Sequence, residues 1–126
     1  MTAAVTVYEA VGGEPFFVAL VNDFYDRVAG DDLLRPLYPD DLTESRRHTA
    51  LFLVQYWGGP ATYSAERGHP RLRMRHAPFP IGIAKRDAWL GHMVASVEAS
   101  GAPPEARRLL AEYFEHASRA MVNQPL

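Results

Sequence analysis

The chain has 126 residues, 48% of them hydrophobic, a formal net charge of −2 and no cysteine. That length buries a single core, the charge argues against gripping nucleic-acid phosphates as the main task, and the missing thiols exclude a disulfide framework, a thiolate nucleophile and a zinc-thiolate site. No apolar run approaches the ~18–20 residues of a membrane span, and Met1-Thr2-Ala3-Ala4-Val5-Thr6 lacks the basic and apolar parts of a secretory signal. One cytoplasmic domain over residues 1–126, with neither nucleic acid nor membrane as partner, is expected.

In chain order, Val5 to Val11 is a short helical candidate that Gly12-Gly13 ends. A longer helix follows, with Glu14 and Pro15 in its first turn and Gly30 closing it. Its apolar stripe, Phe17, Leu20, Val21, Phe24, Tyr25 and Val28, repeats at three and four. Asp31 to Leu37 reads as one helical turn, and Tyr38-Pro39-Asp40-Asp41 as a loop.

The next helix runs from about Thr43, a plausible cap, to Trp57, and stops at Gly58-Gly59-Pro60. Its inward face should carry Leu42, Ser45, Thr49, Phe52, Leu53 and Tyr56. The hydroxyls in that stripe either bond the backbone a turn earlier or leave room for a cavity or ligand. Residues 60–83 hold four prolines and read as mostly irregular, which in a small domain marks a functional or externally held segment.

Within that segment stands Arg71-Leu72-Arg73-Met74-Arg75-His76-Ala77-Pro78-Phe79-Pro80. A brief helical turn puts Leu72 and His76 on one face and must end before Pro78. The imidazole then sits on a sharply ended turn beside apolar side chains, where it could ligate a metal or haem iron. The bland alternative is a solvated histidine in a basic loop.

Helical period returns from about Ala84 to Ser100, with Trp89, His92, Met93, Ser96 and Val97 on one face. After Gly101, Ala102-Pro103-Pro104-Glu105 starts a last helix with the stripe Leu109, Leu110, Tyr113, Phe114, Ala117, Ala120 and Met121. The expected architecture is all-α, with two helix pairs crossing each other around an extended segment. Tyr25, Tyr38, Tyr56 and Trp89 lie on or beside core faces, and their polar tips need partners. Several donors converging on one apolar face suggest a bound polar ligand.

The order of these motifs resembles the truncated haemoglobins of the second group. The resemblance runs through Tyr8-Glu9-Ala10-Val11-Gly12-Gly13, Phe24-Tyr25 and Gln55-Tyr56-Trp57-Gly58-Gly59-Pro60. It continues through Arg67-Gly68-His69-Pro70-Arg71-Leu72-Arg73-Met74-Arg75-His76-Ala77-Pro78-Phe79, Arg86-Asp87-Ala88-Trp89-Leu90 and Val122-Asn123-Gln124-Pro125. The run of arginines with two histidines is the specific part.

That resemblance implies a two-over-two helical globin sandwich around haem b, with His76 as the iron ligand. It implies distal contacts to a small ligand from Tyr25, Tyr38 and Trp89, with Ser45 facing the iron and Thr49 where a larger apolar residue is common. Phe52, Leu72, Phe79 and Met93 are expected on the haem, and Arg75, His48 and Tyr63 near its propionates. The implied function is binding of dioxygen with slow release, for oxygen binding and transport or for redox chemistry. Carbon monoxide, nitric oxide and peroxide are further ligands, and a reductase is a partner. The chain would be a monomer or homodimer. Two other readings stay open: a haem enzyme of the nitric oxide dioxygenase or peroxidase type, and a haem-free helical interaction module.

Overall fold

A computed structural model describes residues 5–124. The first four residues of the stretch tested for a leader, and Pro125 of the C-terminal motif, lie outside the described residues.

The strongest periodicity in the sequence becomes the central element. Helix α2 (Glu14–Ala29) starts from Gly13, carries Pro15 in its first turn and stops at Gly30, and all six stripe residues are buried. It is preceded by a single turn, α1 (Val7–Ala10), whose Thr6 hydroxyl caps the Glu9 N–H. After α2, a 3-10 turn (Arg35–Leu37) leads into α3 (Thr43–Tyr56). Leu42 occupies the cap position of α3 and Thr43 is its first residue, with the Asp41 carboxylate accepting from the Thr43 N–H.

Residues 60–83 contain more helix than their composition announces. Two short helices, α4 (Thr62–Arg67) and α5 (Leu72–His76), precede α6 (Ile83–Ala99) and α7 (Pro104–Ala120). The six residues of α4 are too few to stand alone, and the Gln55 side chain holds them against α3. It donates to Ser64 Oγ at 2.7 Å and accepts from the Ser64 N–H at 2.9 Å.

Helix α2 packs on α3 and on α6, α6 packs on α7, and α4 rests on α3. This is the two-over-two all-helical sandwich, and the described residues contain no strand. Its core joins Phe17, Phe24 and Val28 of α2 to Leu53 and Val54 of α3, Met93 and Val97 of α6, and Leu110 and Phe114 of α7.

Two helix faces are rotated from their expected positions. In α3 the buried residues are Ala50, Leu51, Leu53 and Val54, while Leu42, Ser45, Thr49 and Phe52 are half-buried and Tyr56 is 52% exposed. In α7 they are Ala106, Leu110, Phe114 and Ser118, with Tyr113, Ala117 and Met121 half-buried and Ala120 exposed. The physical reason is shared: each helix has a core on one flank and a cavity on the other, so its apolar arc is wider than its contact with a neighbouring helix.

The Gly58-Gly59 pair has a steric cause. The Tyr8 N–H bonds the Trp57 carbonyl at 3.0 Å, and Tyr8 stacks on Phe17 with ring centroids 6.3 Å apart. A Cβ at Gly58, where φ is +107°, would stand 2.7 Å from Thr6, and one at Gly59 would stand 2.6 Å from the Tyr8 ring. Gly59→Ala should therefore cost about 1–3 kcal/mol through overpacking, read as a lowered midpoint in urea unfolding. A midpoint unchanged from the parent would show that α1 is not tied to the end of α3.

Candidate functional site

Helix α5 is one turn with a defined start and end. Arg71 caps it in the left-handed region (φ 46°, ψ 50°), and the His69 ring Nδ1 accepts the Arg71 N–H at 3.1 Å. A non-glycine residue there carries roughly 1–2 kcal/mol of strain. The helix ends at His76, whose Nδ1 lies 2.7 Å from the Leu72 carbonyl one turn earlier. A carbonyl only accepts, so Nδ1 carries the proton and Nε2 keeps the lone pair. The imidazole is thereby fixed in tautomer and direction, the state a metal-ligating histidine needs.

The turn is fastened on both sides. Arg75 donates from Nε to the Pro70 carbonyl at 2.7 Å and from one terminal nitrogen, Nη2, to the Arg67 and His69 carbonyls at 3.2 and 3.5 Å. Its guanidinium lies 5.9 Å from the Tyr63 ring centre. On the other side Asn123, beyond α7, donates to the Phe79 carbonyl at 2.8 Å and accepts the Ile81 N–H at 2.9 Å. It also reaches the His76 carbonyl at 3.4 Å.

His76 borders a cavity of about 370 Å³, within the range of small-molecule sites. All thirteen residues singled out from the sequence line this one cavity: Tyr25, Tyr38, Ser45, His48, Thr49, Phe52, Tyr63, Leu72, Arg75, His76, Phe79, Trp89 and Met93. They come from α2 through α6 and the segments between them.

One wall gathers the polar tips. The Tyr25 hydroxyl and Thr49 Oγ1 are 3.0 Å apart, and either can donate. Thr49 is thus paired across the cavity wall with a side chain, not with its own backbone. The Tyr25 and Tyr38 rings meet edge to face at 5.5 Å. Trp89 is set edge-on against Phe24 at 5.2 Å and Phe114 at 5.9 Å, which fixes the direction of its indole. Burial pushes the pKa of the Tyr25 hydroxyl up, opposed by its bond to Thr49. Burial likewise pushes Tyr38 well up, an ionised Tyr25 would push it further, and the Trp89 side chain pulls it only partly back. Both phenols therefore stay protonated at neutral pH and remain donors.

The lining also carries cationic side chains, Arg75, Lys85 and Arg86, and the imidazole of His48. Arg86 reaches Asp87 at 3.0 Å through one terminal nitrogen, while its Nε is buried and has no partner among the described residues. Sequence reasoning passed over Lys85 and Arg86, as it did Leu34 and Leu37 and the α7 residues Tyr113 and Ala117 that also line the space. The signal for Arg86 was available, because it stands three residues before Trp89 and so shares its helix face. The donor set fits haem: one tautomer-fixed imidazole, apolar walls and cationic side chains, one with an orphaned N–H, suited to carboxylates such as the two propionates.

Comparison with known proteins agrees with this geometry. The bacterial-like globin family matches residues 6–123. The chain is 48% identical over 117 residues to the group 2 truncated hemoglobin YjbI of Bacillus subtilis, covering 93% of this chain and 88% of that one. It is 32% identical over 122 residues to the group 2 truncated hemoglobin 3-1 of Lotus japonicus, covering 92% and 71%. Among solved structures, the hemoglobin of Chloroflexus aurantiacus superposes with a TM-score of 0.94 at 55% identity, covering 96% of this chain and all (100%) of that one. The group II truncated hemoglobin of Bacillus anthracis superposes at 0.95 with 40% identity, covering 99% and 96%.

The turn that leads to Tyr38 is anchored by the Asp31 carboxylate. Asp31 accepts from His92 Nε2 at 2.7 Å and from the Leu33 N–H at 2.9 Å, tying the turn before Tyr38 to α6 one turn beyond Trp89. Those bonds, His92 first, hold the Asp31 carboxyl below its usual pKa. A depressed carboxylate contributes stability above its unfolded pKa, about 3.9, and loses it as pH falls through the folded value. Asp31→Asn should therefore be less stable than the parent at about pH 7, with the gap closing toward about pH 3. Urea unfolding at both pH values checks this, and a gap that does not narrow would mean the carboxylate charge is not what holds the turn.

Proposed function

This chain belongs to the bacterial-like globin family and is a group II truncated haemoglobin. From that premise we propose that it holds a b-type haem on His76 and retains dioxygen through Tyr25, Tyr38 and Trp89. The observation that carries the reading is the 2.7 Å bond from His76 Nδ1 to the Leu72 carbonyl, which reserves Nε2 for iron at the wall of a cavity that also collects three hydrogen-bond donors. Haem, when bound, supplies a ferrous iron that binds diatomic ligands reversibly.

The residues divide the work by chemistry. Phe52, Leu72, Phe79 and Met93 supply apolar walls against the macrocycle, excluding water. Arg75, Lys85, Arg86, His48 and Tyr63 meet the propionates. A dioxygen ligand taken up here would carry partial negative charge, which the indole N–H of Trp89 and the two phenols would stabilise. Each such bond is worth on the order of 1 kcal/mol net and more where water is excluded. The Thr49 hydroxyl sets the direction of the Tyr25 proton, and Ser45 leaves room for the ligand.

This arrangement favours slow release, which suits retention or redox chemistry better than bulk delivery. Carbon monoxide, nitric oxide and peroxide are small enough for the same space. We take residues 1–126 as one globin domain acting in the cytoplasm, kept ferrous by a reductase. No helix among the described residues is long and apolar enough to cross a membrane.

Absorption spectra of the purified protein, oxidised, reduced and with carbon monoxide, test the haem reading. His76→Ala should lose haem or shift the spectrum markedly, whereas His92→Ala and His69→Ala should keep it. The reverse pattern would overturn the assignment.

Trp89 should dominate retention, because its N–H only donates and its helix fixes its direction. Trp89→Phe removes about 1.5–3 kcal/mol of stabilisation and should speed dioxygen release roughly 10–150-fold. Carbon monoxide, with less charge on its outer atom, should change far less. Stopped-flow dissociation of both ligands is the check, and an oxygen rate within about twofold of the parent would shift the weight to Tyr38 and Tyr25.

A further inference from the structure

Next to that cavity, between α5 and α7, lies a second, open depression of about 740 Å³. Its floor is apolar and partly uncovered: Met74 is 66% exposed, Tyr56 is 52% exposed, and the Tyr56 ring sits 4.2 Å from that of Tyr113. Its rim carries His69, Arg71, Arg73 and His116, and no carboxylate lines it. Most arginines of the chain have partners, as Arg27, Arg46, Arg47, Arg108 and Arg119 do in carboxylates. The guanidinium groups of Arg71 and Arg73 have neither an ion pair nor a hydrogen bond among the described residues. A basic, apolar-floored groove thus stands on a chain whose net charge is −2.

We propose that this groove, between α5 and α7, docks an acidic-surfaced protein that donates single electrons, a flavin protein with carboxylates around its redox group. The inference rests on the haem reading above and adds the partner class and its seat. Three observations favour that occupant. The unpaired arginines call for carboxylates and steer them. A second copy is disfavoured, because a two-fold contact on this face would bring both arginine pairs into one interface without compensation. The groove also shares Phe52, Leu72, Tyr113, Ala117 and Met121 with the cavity that His76 borders, so a docked donor stands one side-chain layer from it. Transient electron-transfer contacts are small, below roughly 1,200 Å² of buried surface, which suits a groove of this kind. In that encounter one electron passes from the donor's reduced flavin, oxidised by one step, to ferric iron, which becomes ferrous. No bond of the chain forms or breaks.

The test uses the haem-loaded protein with an acidic flavodoxin as probe. Binding is followed by calorimetry at about 20 and about 200 mM salt, where screening differs most. The parent should bind several-fold more weakly at the higher salt. The double variant Arg71→Glu, Arg73→Glu should bind at least about tenfold more weakly than the parent at low salt. Arg27→Glu with Arg108→Glu changes net charge equally but lies off the groove, and should weaken binding less than about threefold. Anaerobic reduction of the ferric protein by reduced flavodoxin should slow in the same order, while reduction by a small-molecule reductant should not change. Equal losses in the two double variants would reduce the effect to net charge and overturn the proposal. So would a parent that does not bind flavodoxin, or one whose binding ignores both substitutions. The carbon monoxide spectrum of each variant reports the haem reading separately, so a failed dock and a missing haem are told apart.

Discussion

The geometry of the cavity's histidine side depends on the hydrogen bond from His76 to the carbonyl of Leu72. A free imidazole has two tautomers and a rotatable ring; this one has a single proton position and one direction. The bond forms only because α5 has helical geometry, so that residue 76 stands one turn above residue 72. Yet five residues cannot make a stable helix by themselves. Its regularity is imposed by Arg75 gripping carbonyls on the N-terminal side, by Asn123 gripping carbonyls on the C-terminal side, and by Pro78 forbidding further growth. The left-handed Arg71 shows that the imposition has an energetic cost.

The opposite wall obeys a different constraint. Its donors are not carried by loops alone but are anchored in the aromatic core: Trp89 against Phe24 and Phe114, Tyr38 against Tyr25, Tyr25 against Phe24. The burial that orders these rings also keeps both phenols protonated. Packing and donor chemistry are therefore one property here. A mutation that loosens Phe24 would disturb the direction of a hydrogen bond two side chains away.

How much of this was legible in the sequence varied with the element. Helix α2 was read residue by residue, because all six of its stripe positions end up buried between packed helices. The faces of α3 and α7 were read less well, since periodicity reports that a residue is apolar-facing without distinguishing a packed neighbour from a cavity. Tyr56 shows the limit: it falls on the stripe of α3 but stands at the surface with Tyr113. Helix α4 carries too few turns to leave a period, and it is held by Gln55, a contact no local pattern contains. The residues that line the cavity from five helices were named through the resemblance to truncated haemoglobins, because the local signals alone, the sharply ended turn at His76 and the polar-tipped aromatics on α2, after it and on α6, left a solvated histidine open. Arg86 carried only its spacing from Trp89 as a signal, and an arginine beside an aspartate on a helix reads as ordinary solvated charge until its buried, unpartnered Nε is seen.

The clasp made by Asn123 carries a consequence for how the chain is built. Its bonds join residue 123 to residues 76, 79 and 81, more than forty positions earlier. Synthesis proceeds from the N-terminus, and elements fold as they become available. The donor wall waits for α7, whose Phe114 holds Trp89 edge-on. The histidine side waits further, for the Asn123 that follows α7. Both faces of the pocket are thus completed late in synthesis, the donor face by α7 and the histidine face by the residue beyond it.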